Sequence, residues 1–204
     1  MCTVTNFQVL EEETLRKNAD NKSRILEATL RVFNRKGLKF TMDDIASELS
    51  MSKKTIYTVF KDKETMFLDM VDYCFDSIRE CEKRVFEDNK LSTIDKIRKI
   101  ISVMPESYKD IDFRQLYILK DKYPKIYRHV EERIEDGWET TIVLFEKGIA
   151  EGEIRPINVY LFKTIVEATL EQFFQRDVLI VNDIPYNDAL SEIVSILVDG
   201  IVVR

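Results

Sequence analysis

Between Asn21 and Lys36, apolar or small side chains recur at Ile25, Leu26, Thr29, Val32 and Phe33, a spacing that keeps them on one face of a helix, while Arg24, Arg31 and Arg35 fall outside the stripe. Gly37 follows, where a helix commonly ends on a residue in the left-handed conformation. Thr41-Met42-Asp43-Asp44 has the form of a capping box and opens a second helix with Ile45, Ala46 and Leu49 as its apolar face. A short break at Ser50-Met51 leads to Ser52, an N-cap for a third helix over Lys53 to Phe60. That helix buries Ile56 with Val59 or Phe60 and leaves Lys53, Lys54, Tyr57, Thr58 and Lys61 outward. Asp62 caps a fourth, long helix starting at Lys63, with Phe67, Met70, Val71, Cys74, Phe75, Ile78 and Cys81 as its stripe.

The pattern stays helical beyond Asn89. Segments are predicted from Ser92 to before Pro105, from about Asp112 to Lys122, and from Pro124, a favourable first-turn residue, to Gly152. Two strongly apolar helices follow, over 157–178 and 187–203. Val178 to Val181 is β-branched but reads as a frayed helix end. Residues 1–20, with Glu11-Glu12-Glu13 in their middle, read as a loose arm or a short extra helix. Five Gly and four Pro in 204 residues are few breakers, which favours long helices over a turn-rich β-fold. The expected architecture is all-α: a three-helix head over residues 21–66, joined by the long fourth helix to a helical-bundle body over 67–204.

Charge changes the picture. The chain carries −6 overall, yet residues 21–63 hold ten Lys/Arg against five Asp/Glu, a net +5 that leaves −11 elsewhere. Basic charge confined to the head points to a polyanion there, because phosphate contacts supply much of the affinity for DNA. No apolar run approaches the ~18 residues of a membrane helix. Met1 to Leu10 does not read as a secretory leader, so a cytoplasmic location is expected. Cys74 and Cys81 lie seven apart in one helix, about 10 Å at ~1.5 Å per residue, beyond the ~7 Å reach of a disulfide. They and Cys2 read as packing residues, with nothing to mark a redox thiol. His129 is the sole histidine and stands in no Cys/His cluster, so no metal or cofactor is expected. Without a phosphate loop or a nucleophile setting, an enzyme is not expected.

Three short helices with a tight second-to-third connection make a helix-turn-helix, whose last helix enters the major groove of DNA. Lys54 and Thr58 stand one turn apart and can address neighbouring base edges. Lys53 and Lys61 flank them, Tyr57 offers a hydroxyl to a phosphate, and Thr41 and Lys63 sit at helix N-termini, where anions are favoured. The run Thr41-x3-Ile45-Ala46-x2-Leu49-x2-Ser52-x2-Thr55-Ile56-Tyr57-x2-Phe60-x2-Lys63-Glu64 resembles the TetR family of transcriptional regulators. The resemblance implies that Thr41, Tyr57 and Lys63 anchor the DNA backbone and that the outward part of the third helix reads sequence. The candidate DNA-binding set is therefore Thr41, Ser52, Lys53, Lys54, Thr55, Tyr57, Thr58, Lys61 and Lys63. Two positions depart from the family's usual pattern: Ser50 at the turn between second and third helix, and Lys54, both where Gly is common. A residue other than Gly at Ser50 is strained if that turn requires positive φ.

For the body, the resemblance implies a small-molecule effector and a homodimer that binds a palindromic operator as a repressor. The two last helices are apolar over more than a narrow stripe, so a second face needs burial. Leu161, Ile165, Ala168, Gln172, Ile193, Ile196 and Leu197 are the candidate dimer interface. Phe113, Tyr117, Tyr123, Trp138, Ile142 and Phe145 are candidate effector-pocket lining, and read equally as plain core. The sign of regulation stays open. An all-helical interaction protein with a silenced head is the other class, and Lys53, Lys54 and Lys61 speak against it.

Overall fold

The computed structural model describes residues 3–108 and 118–203, with only the backbone of residues 3–19. Eleven α-helices are defined among the described residues: α1 (Thr3–Lys36), α2 (Met42–Glu48), α3 (Lys53–Val59), α4 (Lys63–Glu87), α5 (Thr93–Ser102), α6 (Leu119–Lys122), α7 (Pro124–Glu135), α8 (Glu139–Ala150), α9 (Val159–Gln175), α10 (Val178–Val181) and α11 (Tyr186–Asp199). The all-α expectation holds. The chain divides into two compact units, 1–73 and 74–204, with the division falling inside α4.

In the first unit, α1 is one continuous helix, without the break near residue 20 that the weak periodicity of the N-terminus suggested. Its stripe is buried as the spacing requires, with Ile25, Leu26, Ala28, Val32 and Phe33 all inside. Thr29 is tolerated at 0% exposure because its hydroxyl donates to the carbonyl of Ile25 at 2.7 Å. Gly37 adopts φ 56° and turns the chain into a short 3-10 segment, Gly37–Lys39. Phe33, Phe40 and Phe67 meet with ring centroids 5.8–6.4 Å apart. They lock α1, the turn and α4 together, each buried ring contributing about 1.5–3 kcal/mol. Ile45 and Ala46 of α2, Ile56 of α3 and Phe60 complete this core.

In the second unit, α5, α8, α9 and α11 surround one core built from Ile97, Ile100, Leu144, Phe145, Phe162, Val166, Leu190, Val194 and Val198. The helix predicted over 124–152 is two helices, broken at Asp136-Gly137-Trp138. Gly137 sits at φ 85°, a conformation that stops a helix and that L side chains rarely adopt. The frayed end expected at Val178 to Val181 is a separate turn, α10, set off from α9 by Arg176 and Asp177. Of the helix expected over 112–122, residues 118–122 lie within the described residues, and Leu119–Lys122 are helical there. The C-terminus is clipped to the α8–α9 connection by an antiparallel bridge between Ile154 and Val202, with Arg155 N–H donating to Ile201 O and Val203 N–H to Glu153 O, both at 2.9 Å. Among the described residues no helix is long and apolar enough to cross a membrane.

Candidate nucleic-acid interface

The α2–α3 pair is fixed by its caps. Thr41 Oγ1 accepts from Asp44 N–H at 3.2 Å while Asp44 Oδ2 accepts from Thr41 N–H at 2.9 Å, the full reciprocal box. At the next start, Ser52 Oγ accepts from Thr55 N–H at 3.1 Å and shares a 2.8 Å hydroxyl contact with Thr55. Ser52 and Thr55 are thus engaged in starting α3, and both remain exposed. Between α2 and α3 the chain turns through Ser50 at φ 51°, closed by Met51 N–H donating to Ala46 O at 2.9 Å. The turn does require the left-handed conformation, and a serine occupies it.

With Ile56 fully buried, α3 is held by one side and presents the other. Lys53, Lys54, Thr55, Tyr57 and Thr58 are exposed, Tyr57 at 46%. Thr58 Oγ1 donates to Thr55 O at 2.6 Å. Its proton is therefore committed to its own helix, leaving an acceptor lone pair and a methyl group facing outward. Asp62 caps α4 by accepting from Thr65 N–H at 2.7 Å, which lowers its pKa, and Lys61 stands exposed beside it.

The basic charge of the head is unevenly available. Arg31 and Arg35 both engage Glu48, Lys36 engages Asp44 at 2.6 Å, and Lys53 engages Asp43 at 2.8 Å. All four cations are thus tied to carboxylates of α2. The hydrogen bond from Lys36, with those from Thr41, holds the Asp44 carboxyl down at about 2. The guanidinium of Arg35, and then that of Arg31, lowers Glu48 likewise. Lys39 and Lys54 are exposed and make no ion pair among the described residues. Lys63, expected on a phosphate, turns inward. Its Nζ donates to Leu38 O at 2.9 Å and Phe40 O at 2.6 Å and lies 4.0 Å from the Phe40 ring centroid. Partial burial lowers its pKa.

In the body, the candidate pocket residues do not form one set. Phe113 and Tyr117 lie outside the described residues. Phe145 is fully buried and meets Phe162 with ring centroids 4.7 Å apart and the planes tilted by 53°, inside the main core. Trp138 packs against that core half-buried, its indole N–H donating to Ile134 O at 3.2 Å. Tyr123 and Ile142 are also half-buried. His129 lies 3.7 Å from Glu132, and no metal-binding cluster occurs among the described residues. Burial pushes the Cys74 thiol up to about 12, the reverse of a reactive cysteine. The candidate dimer positions, by contrast, share a property. Leu161, Ile165 and Ile196 are 62%, 49% and 61% exposed, and Ala168 and Gln172 are exposed beside them, while Ile193 and Leu197 are half-buried.

Residues 25–70, the core of this head, match the bacterial regulatory proteins of the tetR family. Over that segment the chain carries the DNA-binding head described for the tetR family. An HTH-type transcriptional regulator of Bacillus subtilis, YvaF, is 24% identical over 178 residues, covering 87% of this chain and 94% of the relative. The likeness in fold to solved regulators extends through the body. The transcriptional regulator FadR of Bacillus subtilis, solved in complex with stearoyl-CoA, superposes with a TM-score of 0.62 at 20% identity, covering 87% of this chain and 98% of its own. A TetR transcription regulator of Haloarcula marismortui gives 0.69 at 14% identity, covering 91% of this chain and all of its own. These relatives are regulators of transcription, in keeping with the expectation that the chain is not an enzyme.

Proposed function

We propose that this protein is a homodimeric repressor of the TetR family that binds a palindromic operator through α3 and is released by a small-molecule effector held in its body. The observation that carries the DNA-binding part is the exposed face of α3, fixed by two side-chain caps and a buried Ile56, with Lys54 and Thr58 one turn apart and unpaired with acids. Lys54 supplies donors suited to the O6 and N7 acceptors of guanine. Thr58, its proton held by Thr55, presents an acceptor and a methyl suited to an exocyclic amine or to thymine. Tyr57 and Thr41 add hydroxyls for the phosphate backbone.

The dimer reading is supported by the unburied apolar face of α9 and α11, which a second copy would cover to form a four-helix interface. Two heads related by a two-fold axis then ask for two half-sites about one helical turn of DNA apart. The effector reading takes its first probe from FadR, whose structure holds stearoyl-CoA. Trp138 and Ile142 of the body are candidate contacts. α4 is the covalent route from head to body, so an effector acts by favouring one arrangement of that helix over another.

In-vitro selection of DNA by the purified protein tests the first part. Enrichment of an inverted repeat supports a symmetric operator-binding dimer, and no enrichment from a random pool refutes it. Titration of the selected duplex complex with stearoyl-CoA tests release.

A further inference from the structure

The turn between α1 and α2 contributes only its last residue, Thr41, to the expected DNA-binding set, yet it also presents a cation on a braced backbone. Leu38 and Phe40 are buried, at 7% and 1% exposure, so the residue between them is forced outward. That residue is Lys39, exposed and without an ion pair among the described residues. The carbonyls of Leu38 and Phe40 are both held by the ammonium of Lys63, at 2.9 and 2.6 Å. One side chain therefore grips the backbone on both sides of Lys39. The same grip ties the turn that carries Lys39, and Thr41 two residues on, to the start of α4. The neighbouring cations Lys36 and Lys53 are tied to Asp44 and Asp43, which leaves Lys39 the available one at this turn.

We propose that Lys39 is a further phosphate contact of the DNA-binding head and that Lys63 is its positioning residue, bracing the turn from beneath. The proposal rests on the DNA-binding reading above and adds a residue to it. A cation on a braced turn needs little ordering when it meets a phosphate, whereas the Lys63 ammonium would have to abandon two carbonyls to do so.

The test is the salt dependence of binding to a random-sequence DNA duplex, measured with wild-type protein, Lys39→Gln, Lys39→Arg and Lys63→Met, alongside the Tm of each. Loss of one phosphate contact lowers the log–log slope by about 0.9 per protomer. The expected result is that slope reduction for Lys39→Gln at unchanged Tm, its restoration in Lys39→Arg, and a lowered Tm for Lys63→Met. A wild-type slope in Lys39→Gln overturns the proposal, as does a lowered slope at unchanged Tm in Lys63→Met. Failure of the wild-type protein to bind any duplex would instead refute the DNA-binding reading, so the two failures are distinct.

Discussion

Lys53 at the start of the recognition helix reaches back to Asp43 on α2, Nζ to Oδ2 at 2.8 Å. The pair joins the two helices of the helix-turn-helix on their exposed side, and Asp43 is 69% exposed at its side chain. Its hydrogen bond raises the Lys53 pKa, so the lysine stays charged. A carboxylate on this surface opposes approach to DNA and competes with phosphate for Lys53. Asp43→Asn is expected to tighten binding to a random-sequence duplex on the order of threefold to tenfold at low salt, with the gain fading as salt rises. Fluorescence anisotropy across a salt series checks this. Equal affinities at low salt would mean that Lys53 takes no part in binding.

The capping box gives a pH signature. Asp44 is held at about 2 in the folded chain against an ordinary 3.8, through the hydrogen bonds of Lys36 and Thr41 to its ionised form. A depressed carboxylate stabilises the fold fully above its unfolded value and loses that contribution as pH falls through the folded one. Asp44→Asn should therefore lower Tm at neutral pH, with the gap to wild type closing between pH 3.8 and about 2. Thermal melts across that range measure it. A gap that persists undiminished at the acid end would assign the effect to packing instead of charge.

Which parts of this were legible in the sequence follows from the range of the forces involved. The caps at Thr41, Ser52 and Asp62 could be read because each acts within three residues of itself. The buried stripe of α1 and Ile56 of α3 could be read because helical periodicity dictates which face turns inward. The pairing of Lys53 with Asp43 joins outward faces of two helices, and periodicity says only that both are outward. Lys63 escaped for a related reason: its N-terminal position favours anions, but a four-carbon stem can fold back onto carbonyls of a turn more than twenty residues earlier. The break at Gly137 was hidden because apolar spacing continues through it from Ile134 to Ile142. Phe145 could not be told from pocket lining, since core and pocket positions share the same period.

Ser50 at φ 51° stores backbone strain at the turn of the head. A residue with a Cβ in this region costs roughly 1 kcal/mol or more relative to glycine. Ser50→Gly is expected to stabilise the protein by about 0.5–1 kcal/mol, part of the gain being offset by the greater freedom of glycine in the unfolded chain. Ser50→Val should destabilise it. Denaturant melts distinguish the outcomes, and an unstabilised Ser50→Gly would show that the serine is matched to its turn.

Gly148 of α8 marks the tightest approach within the body. A Cβ placed there would stand 2.7 Å from Cδ1 of Ile154, which is itself buried at 1% exposure. Gly148→Ala must displace that side chain from the core, at a cost of about 1–3 kcal/mol. Pairing it with Ile154→Val, which shortens the opposing side chain by the clashing methyl, should recover part of the loss. A double variant no more stable than the single would place the strain elsewhere.

The α9 face offers the sharpest test of assembly. Leu161, Ile165, Ala168 and Gln172 recur at steps of four, three and four, so they lie along one side of the helix, and all are exposed in the single chain. Buried neighbours on the opposite side, Phe162 and Val166, already hold α9 to its own core. Charging the outer side therefore leaves the fold of the subunit intact. Leu161→Glu with Ile165→Glu is expected to convert a dimer to a monomer by sedimentation analysis at unchanged helicity. Because each head alone contacts one half-site, loss of the dimer should weaken operator binding on the order of a hundredfold or more while leaving contact with random-sequence DNA far less affected. A variant that remains dimeric would move the interface to another surface, and one that unfolds would show that this side of α9 belongs to the subunit core.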